Sequence, residues 1–148
     1  MGCTPTLPVS KFVVHVPNTL YAGRPAPAPV VLIPNDHTCA ICGLRFITPQ
    51  GLSALEAAHI VPFSICHNDD PRNGLWLCKL HHWCYDQGLV SVADDLTMVT
   101  SATLDPHRPT EDRLTAFAGR PILAPHDPMY LPSSEALEWH RSNVLLQV

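Results

Sequence analysis

Two short cysteine and histidine motifs in this chain have the spacing of metal ligands. Cys39 and Cys42 form a CxxC pair, and Cys78 and His81 form a CxxH pair. Structural zinc takes four sulfur or nitrogen ligands in a tetrahedron, commonly delivered as two close pairs. We therefore predict a structural zinc site built from these three cysteines and one histidine. The alternative is that they are buried thiols and a core histidine.

The stretch CKLHHWCYD, residues 78–86, carries a second set of functional groups. Adjacent residues of a helix point about 100° apart, so His82 faces away from the ion that His81 would bind. His82 and Asp86 are four residues apart, and side chains at this spacing project from one helix face. An imidazole and a carboxylate on one face predict a second, open metal position.

The bulk composition indicates one folded domain with short elements. Of the 148 residues, 46% are hydrophobic and 15% are charged, as is typical of a globular protein. The 16 prolines predict a loop-rich fold, because proline interrupts helices and central strands. The formal net charge of -4 argues against nucleic-acid binding through overall charge. Any such function has to depend on a local site.

The cysteines also indicate a cellular compartment. Six cysteines with CxxC-type spacing suit metal binding in a reducing compartment better than a secreted disulfide scaffold. The chain shows no apolar run of about 18 residues and no signal-peptide pattern. We therefore expect a cytoplasmic protein with no membrane partner.

The composition of the sequence changes near Asp36. Residues 1–36 are rich in proline, and we interpret them as an N-terminal arm with short extended pieces such as KFVVHV and VVLI. A partly disordered leader is the equal alternative. Residues 37–148 then form the folded domain.

Three elements are predicted between and after the two ligand pairs. LEAAHIVPF (55–63) predicts a strand that ends at Pro62, and GLWLC (74–78) predicts its partner strand. The segment between them is dense in turn formers and predicts a loop. KLHHWCYDQG predicts a helix of two to three turns that Gly88 ends.

The rest of the chain predicts a hairpin and a terminal helix. LVSVADDLTMVTS is typical of two short strands, with Asp94 and Asp95 at the turn. Ser133 or Ser134 could cap a C-terminal helix. We expect its apolar face to be formed by Leu137, Val144 and Leu145. The predicted fold class is α+β.

The segments around these elements resemble a known family, the HNH endonucleases, also called ββα-metal or His-Me finger nucleases. The resemblance is carried by AHI (58–60), NGLWLC (73–78) and LHHWCYDQG (80–88), with His59, Asn73 and His82 in the order H-N-H. The chain further resembles a subgroup of restriction endonucleases in the segments EAAHIVPF, KLHHWCYDQG, GRPI (119–122) and LEWHR (137–141). The resemblance covers residues 37–145. It implies a ββα-metal core with a zinc knuckle.

The resemblance also implies a role for each motif residue. His59 is the general base that takes a proton from the attacking water, and His82 with Asp86 holds one divalent cation, Mg²⁺ or Mn²⁺. Asn73 braces the loop that carries the base. Without the resemblance, His59 could be a core histidine, Asn73 a turn residue and Asp86 a solvated helix residue.

The chain departs from the family pattern at one position. Many members carry a metal-binding Asp or His just before the catalytic histidine, where this sequence has Ala58. Asp69 or Asp70 could replace the lost ligand, although loop carboxylates are more often turn formers. We also expect Trp76 and Trp83 in the core, and the tail histidines as structural or surface residues.

The function expected from these residues is a metal-dependent DNA endonuclease of restriction or defence type. The alternative is a non-catalytic, zinc-stabilised module for DNA binding or scaffolding, which Ala58 and the acidic net charge favour. A toxin nuclease delivered between cells would share the chemistry. Double-strand cutting by one active site would further imply a homodimer.

Overall fold

Two antiparallel strands and a helix form the centre of the fold. The computed structural model describes residues 36–147, so the predicted arm lies outside the described residues apart from Asp36. Strand β1 (Leu55–His59) pairs with strand β2 (Gly74–Cys78), and His59 lies opposite Gly74. Helix α1 (Phe63–Cys66) lies between them. Helix α2 (Lys79–Asp86) follows β2 without an intervening loop.

The strand containing His59 is shorter than predicted. It ends at His59 and not at Pro62, because Pro62 is the N-cap of the one-turn helix α1. The loop prediction also missed a 3-10 turn at Pro71–Asn73. Proline lacks a backbone donor and favours the first turn of a helix, so the strand pairing stops before Pro62.

Gly88 ends α2 as predicted. Its φ of 70° lies in the left-handed region that favours glycine. A Cβ atom at this position would also overlap the carbonyl group of Val144, so the chain passes too close for any side chain. This contact brings the end of α2 against the C-terminal segment.

The structure confirms the predicted second hairpin and the predicted C-terminal helix. Strands β3 (Val90–Val92) and β4 (Met98–Thr100) are antiparallel, and helix α3 (Glu111–Thr115) follows them. Helix α4 (Ser134–Asn143) is capped by Ser133, whose hydroxyl accepts a hydrogen bond from the amide of Ala136.

The two tail motifs attach this hairpin to the domain. Within GRPI, the carbonyl of Arg120 accepts from the amide of Met98 at 2.8 Å. Within LEWHR, Arg141 donates to the carbonyl of Val92 and to the carboxylate of Asp94.

The core is formed by the inner faces of the strands and of α2 and α4. Leu137 is buried as expected, but Val144 and Leu145 follow the end of α4 and are half-buried. The main contributors to this core are Leu55, Ile60, Leu77, Tyr85, Val90, Val92, Met98 and Leu137.

Trp76 is buried as predicted, whereas the expectation for Trp83 was wrong. The side chain of Trp83 is 57% exposed, because α2 buries His81, Cys84 and Tyr85, which leaves Trp83 on the outward face. The apolar residues of this short helix therefore do not all lie on its buried face.

A buried histidine couples α4 to α2 and β3. The ring of His140 stacks on Tyr85 at 3.7 Å, and its Nδ1 lies 2.8 Å from the hydroxyl of Ser91. Its Nε2 lies 3.1 Å from the carbonyl of Tyr85. Burial lowers the pKa of His140 to about 4, and the charge of Arg141 acts in the same direction. The folded protein therefore holds this ring neutral.

This arrangement predicts acid sensitivity of the fold. The unfolded chain binds a proton at His140 below the ordinary histidine pKa of 6.5, whereas the folded chain does not until near pH 4. Stability is therefore present above pH 6.5 and is lost as the pH falls, by about 2 kcal/mol at pH 5. The check is urea unfolding at pH 7.5 and pH 5 for the wild type and His140→Gln. Equal pH dependence in the two proteins would contradict the assignment, since the other titrating groups cancel in this comparison.

Candidate metal and active sites

The four predicted zinc ligands lie together at one end of the central hairpin. Cys39 and Cys42 come from a tight turn, while Cys78 ends β2 and His81 belongs to the first turn of α2. One ligand atom from each residue lies within 4.8 Å of all the others. A tetrahedral zinc ion with sulfur at about 2.3 Å and nitrogen at about 2.0 Å places its ligand atoms about 3.5–3.8 Å apart, which is within this limit. The donor set and its spacing fit a structural zinc ion.

The electrostatics of these thiols also suit a cation. Burial raises the pKa of Cys39, but hydrogen bonds, above all that of His81, outweigh it and bring the pKa to about 6. Burial raises the pKa of Cys42 to about 12, and the neighbouring Cys39 adds to this rise. Burial also raises the pKa of Cys78. Thiolates placed this close repel one another, and a dication at their centre relieves the repulsion.

His82 lies on a different face of α2, between two carboxylates. Its Nδ1 is 3.0 Å from Glu56 Oε2, and its Nε2 is 3.4 Å from Asp86 Oδ2. Lys79 Nζ lies 3.5 Å from the other oxygen of Glu56. The hydrogen bond from His82 lowers the pKa of Glu56, and the charge of Lys79 adds to this effect. Glu56 is therefore ionised at neutral pH.

This geometry defines which nitrogen of His82 could bind a metal. An ionised carboxylate only accepts hydrogen bonds, so Nδ1 carries the proton that it donates to Glu56, and Nε2 is the nitrogen that could bind a metal. Nε2 and the carboxylate of Asp86 face each other, so a divalent cation that displaces the proton from Nε2 would contact both groups. Their separation of 3.4 Å suits two ligands of one ion at about 2.1 Å each. His82 and Asp86 thus fit a divalent cation.

His59 is placed at the end of β1, where the connecting loop begins. Its Nε2 lies 3.2 Å from Asp69 Oδ1, across the loop. The centroid of the Phe63 ring lies 6.0 Å from that of the imidazole, with the two planes tilted by 53°. The histidine side chain is 32% exposed, so water reaches the ring.

Asn73 is buried and holds the same loop from inside. Its Oδ1 accepts from the amide of Val61 at 2.9 Å, and its Nδ2 donates to the carbonyls of Val61 and Asn68. Its own carbonyl accepts from the amide of Ile60. These bonds fasten both ends of the loop to the start of β2, which is the geometry that a bracing role requires.

The order and placement of these residues match a known sequence family. Residues 39–93 match the HNH endonuclease family. This segment belongs to the HNH endonuclease family. It contains His59, Asn73 and His82 together with the four cysteine and histidine ligands, and the predicted resemblance is confirmed.

A solved structure has the same fold as this HNH domain. It is the Modification dependent TagI restriction endonuclease, with a TM-score of 0.57 and 25% sequence identity. The similarity covers 76% of this chain but only 36% of that chain. It confirms the predicted α+β class with small sheets and helices. No curated protein matches the sequence.

The structure of the HNH domain adds residues that the sequence pattern did not single out. Glu56 was missed, although strand alternation places it on the same face of β1 as Ala58. Ala58 itself is fully buried, so a methyl group fills the position where many members carry a ligand. Asp70 forms a turn as expected, since its Oδ1 accepts from the amide of Arg72. Asp69, in contrast, contacts His59.

Basic side chains near the HNH motif are few and mostly paired. Lys79 contacts Glu56, and Arg45 contacts Asp36. Among residues 36–147, no helix combines the length and apolar character that crossing a membrane requires.

Proposed function

We propose that this protein is a metal-dependent DNA endonuclease of restriction or defence type. The observation that carries the proposal is the His82 ring, whose Nδ1 contacts Glu56 and whose Nε2 faces Asp86 inside an HNH domain. A carboxylate that orients a metal-binding histidine is a common arrangement in metalloenzymes.

The proposed reaction is hydrolysis of a phosphodiester bond. His59 takes a proton from a water molecule as the water oxygen forms a bond to phosphorus. The bond from phosphorus to the 3′ oxygen breaks, and that oxygen takes a proton from solvent. His59 then returns its proton to solvent, which leaves a 5′ phosphate and a 3′ hydroxyl. Asn73 keeps the loop in place during these steps.

His82 and Asp86 would hold the divalent cation, Mg²⁺ or Mn²⁺, which would neutralise phosphate charge and stabilise the departing oxygen. Glu56 positions His82 for this task. With Ala58 in the usual ligand position, His82 and Asp86 are the side chains that would hold the cation.

DNA is the proposed partner. The small number of basic residues predicts modest affinity and strong dependence on salt, because phosphate contacts release counterions. The similar restriction endonuclease is modification dependent by name, so plasmid with and without methylated bases belongs in the same assay.

The experiment that tests this function is cleavage of supercoiled plasmid in Mg²⁺, in Mn²⁺ and in EDTA. We expect cutting by the wild type that EDTA abolishes. His82→Ala should reduce the rate by roughly 10²-fold or more at equal metal concentration, because the cation loses its nitrogen ligand. His107→Ala is the matched control, since it removes an exposed histidine outside the HNH segment.

Two outcomes would contradict the proposal in different ways. Wild-type rates in His82→Ala would show that the cation is bound elsewhere. No cutting by the wild type in any divalent metal would favour the alternative, a zinc-stabilised DNA-binding or scaffolding module. The buried Ala58 and the net charge of -4 are the observations that favour this alternative.

A homodimer is the arrangement proposed for double-strand cutting, since one such site cuts one strand. Sedimentation of the protein with and without DNA measures this directly. A strict monomer under both conditions would limit the enzyme to nicking or to two separate cutting events.

A further inference from the structure

The loop between β1 and β2 places a carboxylate next to the proposed general base. Asp69 Oδ1 lies 3.2 Å from His59 Nε2, with the two side chains 21% and 32% exposed. Asp69 is not one of the three residues that name the HNH family. We propose that Asp69 is a positioning residue that fixes the tautomer and orientation of His59, an inference that rests on the endonuclease function proposed above.

The contact defines where the base has its lone pair. An ionised carboxylate only accepts hydrogen bonds, so the proton between Asp69 and His59 belongs to Nε2. A neutral imidazole carries one ring proton, and its lone pair is then on Nδ1. A general base requires the lone pair at one defined nitrogen, because molecules with the other tautomer do not react.

The fold holds both partners of this contact through a single side chain. Asn73 donates to the carbonyl of Val61, two residues after His59, and to the carbonyl of Asn68, directly before Asp69. Both distances are 3.0 Å, and Asn73 is buried. One amide therefore sets the separation of the two loop ends. The hydrogen bonds of Asn73 thereby place the carboxylate of Asp69 beside His59.

The adjacent carboxylate shows that this contact is particular to Asp69. Asp70 is next in sequence, yet its Oδ1 accepts from the amide of Arg72 at 2.8 Å and caps the 3-10 turn. Asp70 is a turn former, whereas Asp69 reaches across the loop to another side chain. The two positions carry the same charge and differ in what they contact.

The Asp69 carboxylate also stabilises the positively charged His59 ring that forms during the proposed reaction. When His59 takes the proton of water, both of its nitrogens carry protons, and the Nε2 proton makes a charge-assisted hydrogen bond to Asp69. The pair is partly exposed, so solvent screening reduces this effect below that of a fully buried pair.

A pair of matched substitutions tests the proposal. Asp69→Asn and Asp70→Asn remove the same charge from neighbouring positions, and asparagine still caps a turn at position 70. We expect Asp69→Asn to lower kcat for plasmid nicking by about 10- to 100-fold with little change in KM, as for the loss of part of general-base catalysis. Asp70→Asn should retain the wild-type kcat. Bound zinc and the melting temperature show whether each variant is folded.

A second measurement does not depend on cleavage. The ¹⁵N chemical shifts of the His59 ring, assigned with His59→Gln, report which nitrogen carries the proton. We expect the Nε2–H tautomer in the wild type and in Asp70→Asn, and a mixture in Asp69→Asn.

Each outcome decides the inference separately from the proposed function. Equal kcat and equal ring shifts in wild type and Asp69→Asn would overturn the inference even if the protein cuts DNA. Recovery of full kcat in Asp69→Asn at high Mg²⁺ would overturn it too, because Asp69 would then be a metal ligand. If the wild type does not cut DNA, the proposed function fails, and the ring shifts still decide whether Asp69 fixes the tautomer.

Discussion

Replacing His59 with alanine is expected to reduce plasmid cleavage by roughly 10²- to 10⁴-fold, the usual contribution of a general base. The reason is that no other imidazole in the described residues lies at the end of β1 beside the Asn73-braced loop. The residual rate would come from the cation and from bound water. The measurement is the initial rate of nicking on supercoiled plasmid at saturating Mg²⁺.

The variant should remain folded, because the side chain of His59 is one-third exposed and makes no zinc contact. His67→Asn provides a matched control. His67 is an exposed imidazole in the same loop with a φ of 49°, which asparagine tolerates. Cleavage that survives in His59→Ala would point to another base or to a contaminating nuclease. Absence of cleavage in both the variant and the wild type would favour the non-catalytic module.

Replacing Cys78 with alanine is expected to remove the bound zinc and to unfold the domain. Cys78 joins the tight turn at Cys39 to the junction of β2 and α2, and three remaining ligands leave the ion open to solvent. Structural zinc contributes about 10–16 kcal/mol in zinc-finger peptides, which is comparable with the whole stability of a typical domain. Metal content by mass spectrometry and thermal unfolding by circular dichroism provide the check.

Cys84→Ala is the control for this substitution. Cys84 is a buried cysteine on the same helix as His81, but it lies outside the four-residue cluster. We expect it to retain one zinc and to lose only about 1 kcal/mol through the small cavity. If Cys78→Ala keeps both its zinc and the wild-type melting temperature, the ligand assignment is wrong.

Helix α2 connects the predicted zinc site with the proposed site of the catalytic cation. His81 directs its Nδ1 to the cysteines, 3.2 Å from Cys78 Sγ, while the next residue, His82, contacts Glu56 and Asp86. A metal that fixes the first turn of the helix therefore also fixes the direction of His82. Zinc removal should for this reason abolish cleavage as well as folding, even though zinc takes no part in the proposed reaction.

The sequence by itself determined the features that depend on local geometry. The pairs at Cys39 and Cys78, the strand Gly74–Cys78 and the helix Lys79–Asp86 all occur as predicted, because ligand spacing and hydrophobic periodicity act within a few residues. His81 and His82 were expected to face different sites because adjacent residues of a helix point about 100° apart. Local propensities also correctly predicted the second hairpin and the cap at Ser133.

Only the tertiary structure decided which side chains meet across elements. Glu56 contacts His82 from 26 positions away, and Asp69 contacts His59 across a ten-residue separation. Periodicity fixes the face on which a residue lies, but not what the packing of β1, the loop and α2 brings to that face. The burial of His140 and the exposure of Trp83 have the same origin. The proposed general base and the proposed metal-binding histidine were therefore identified from sequence motifs, whereas the carboxylates that contact them were set by the fold.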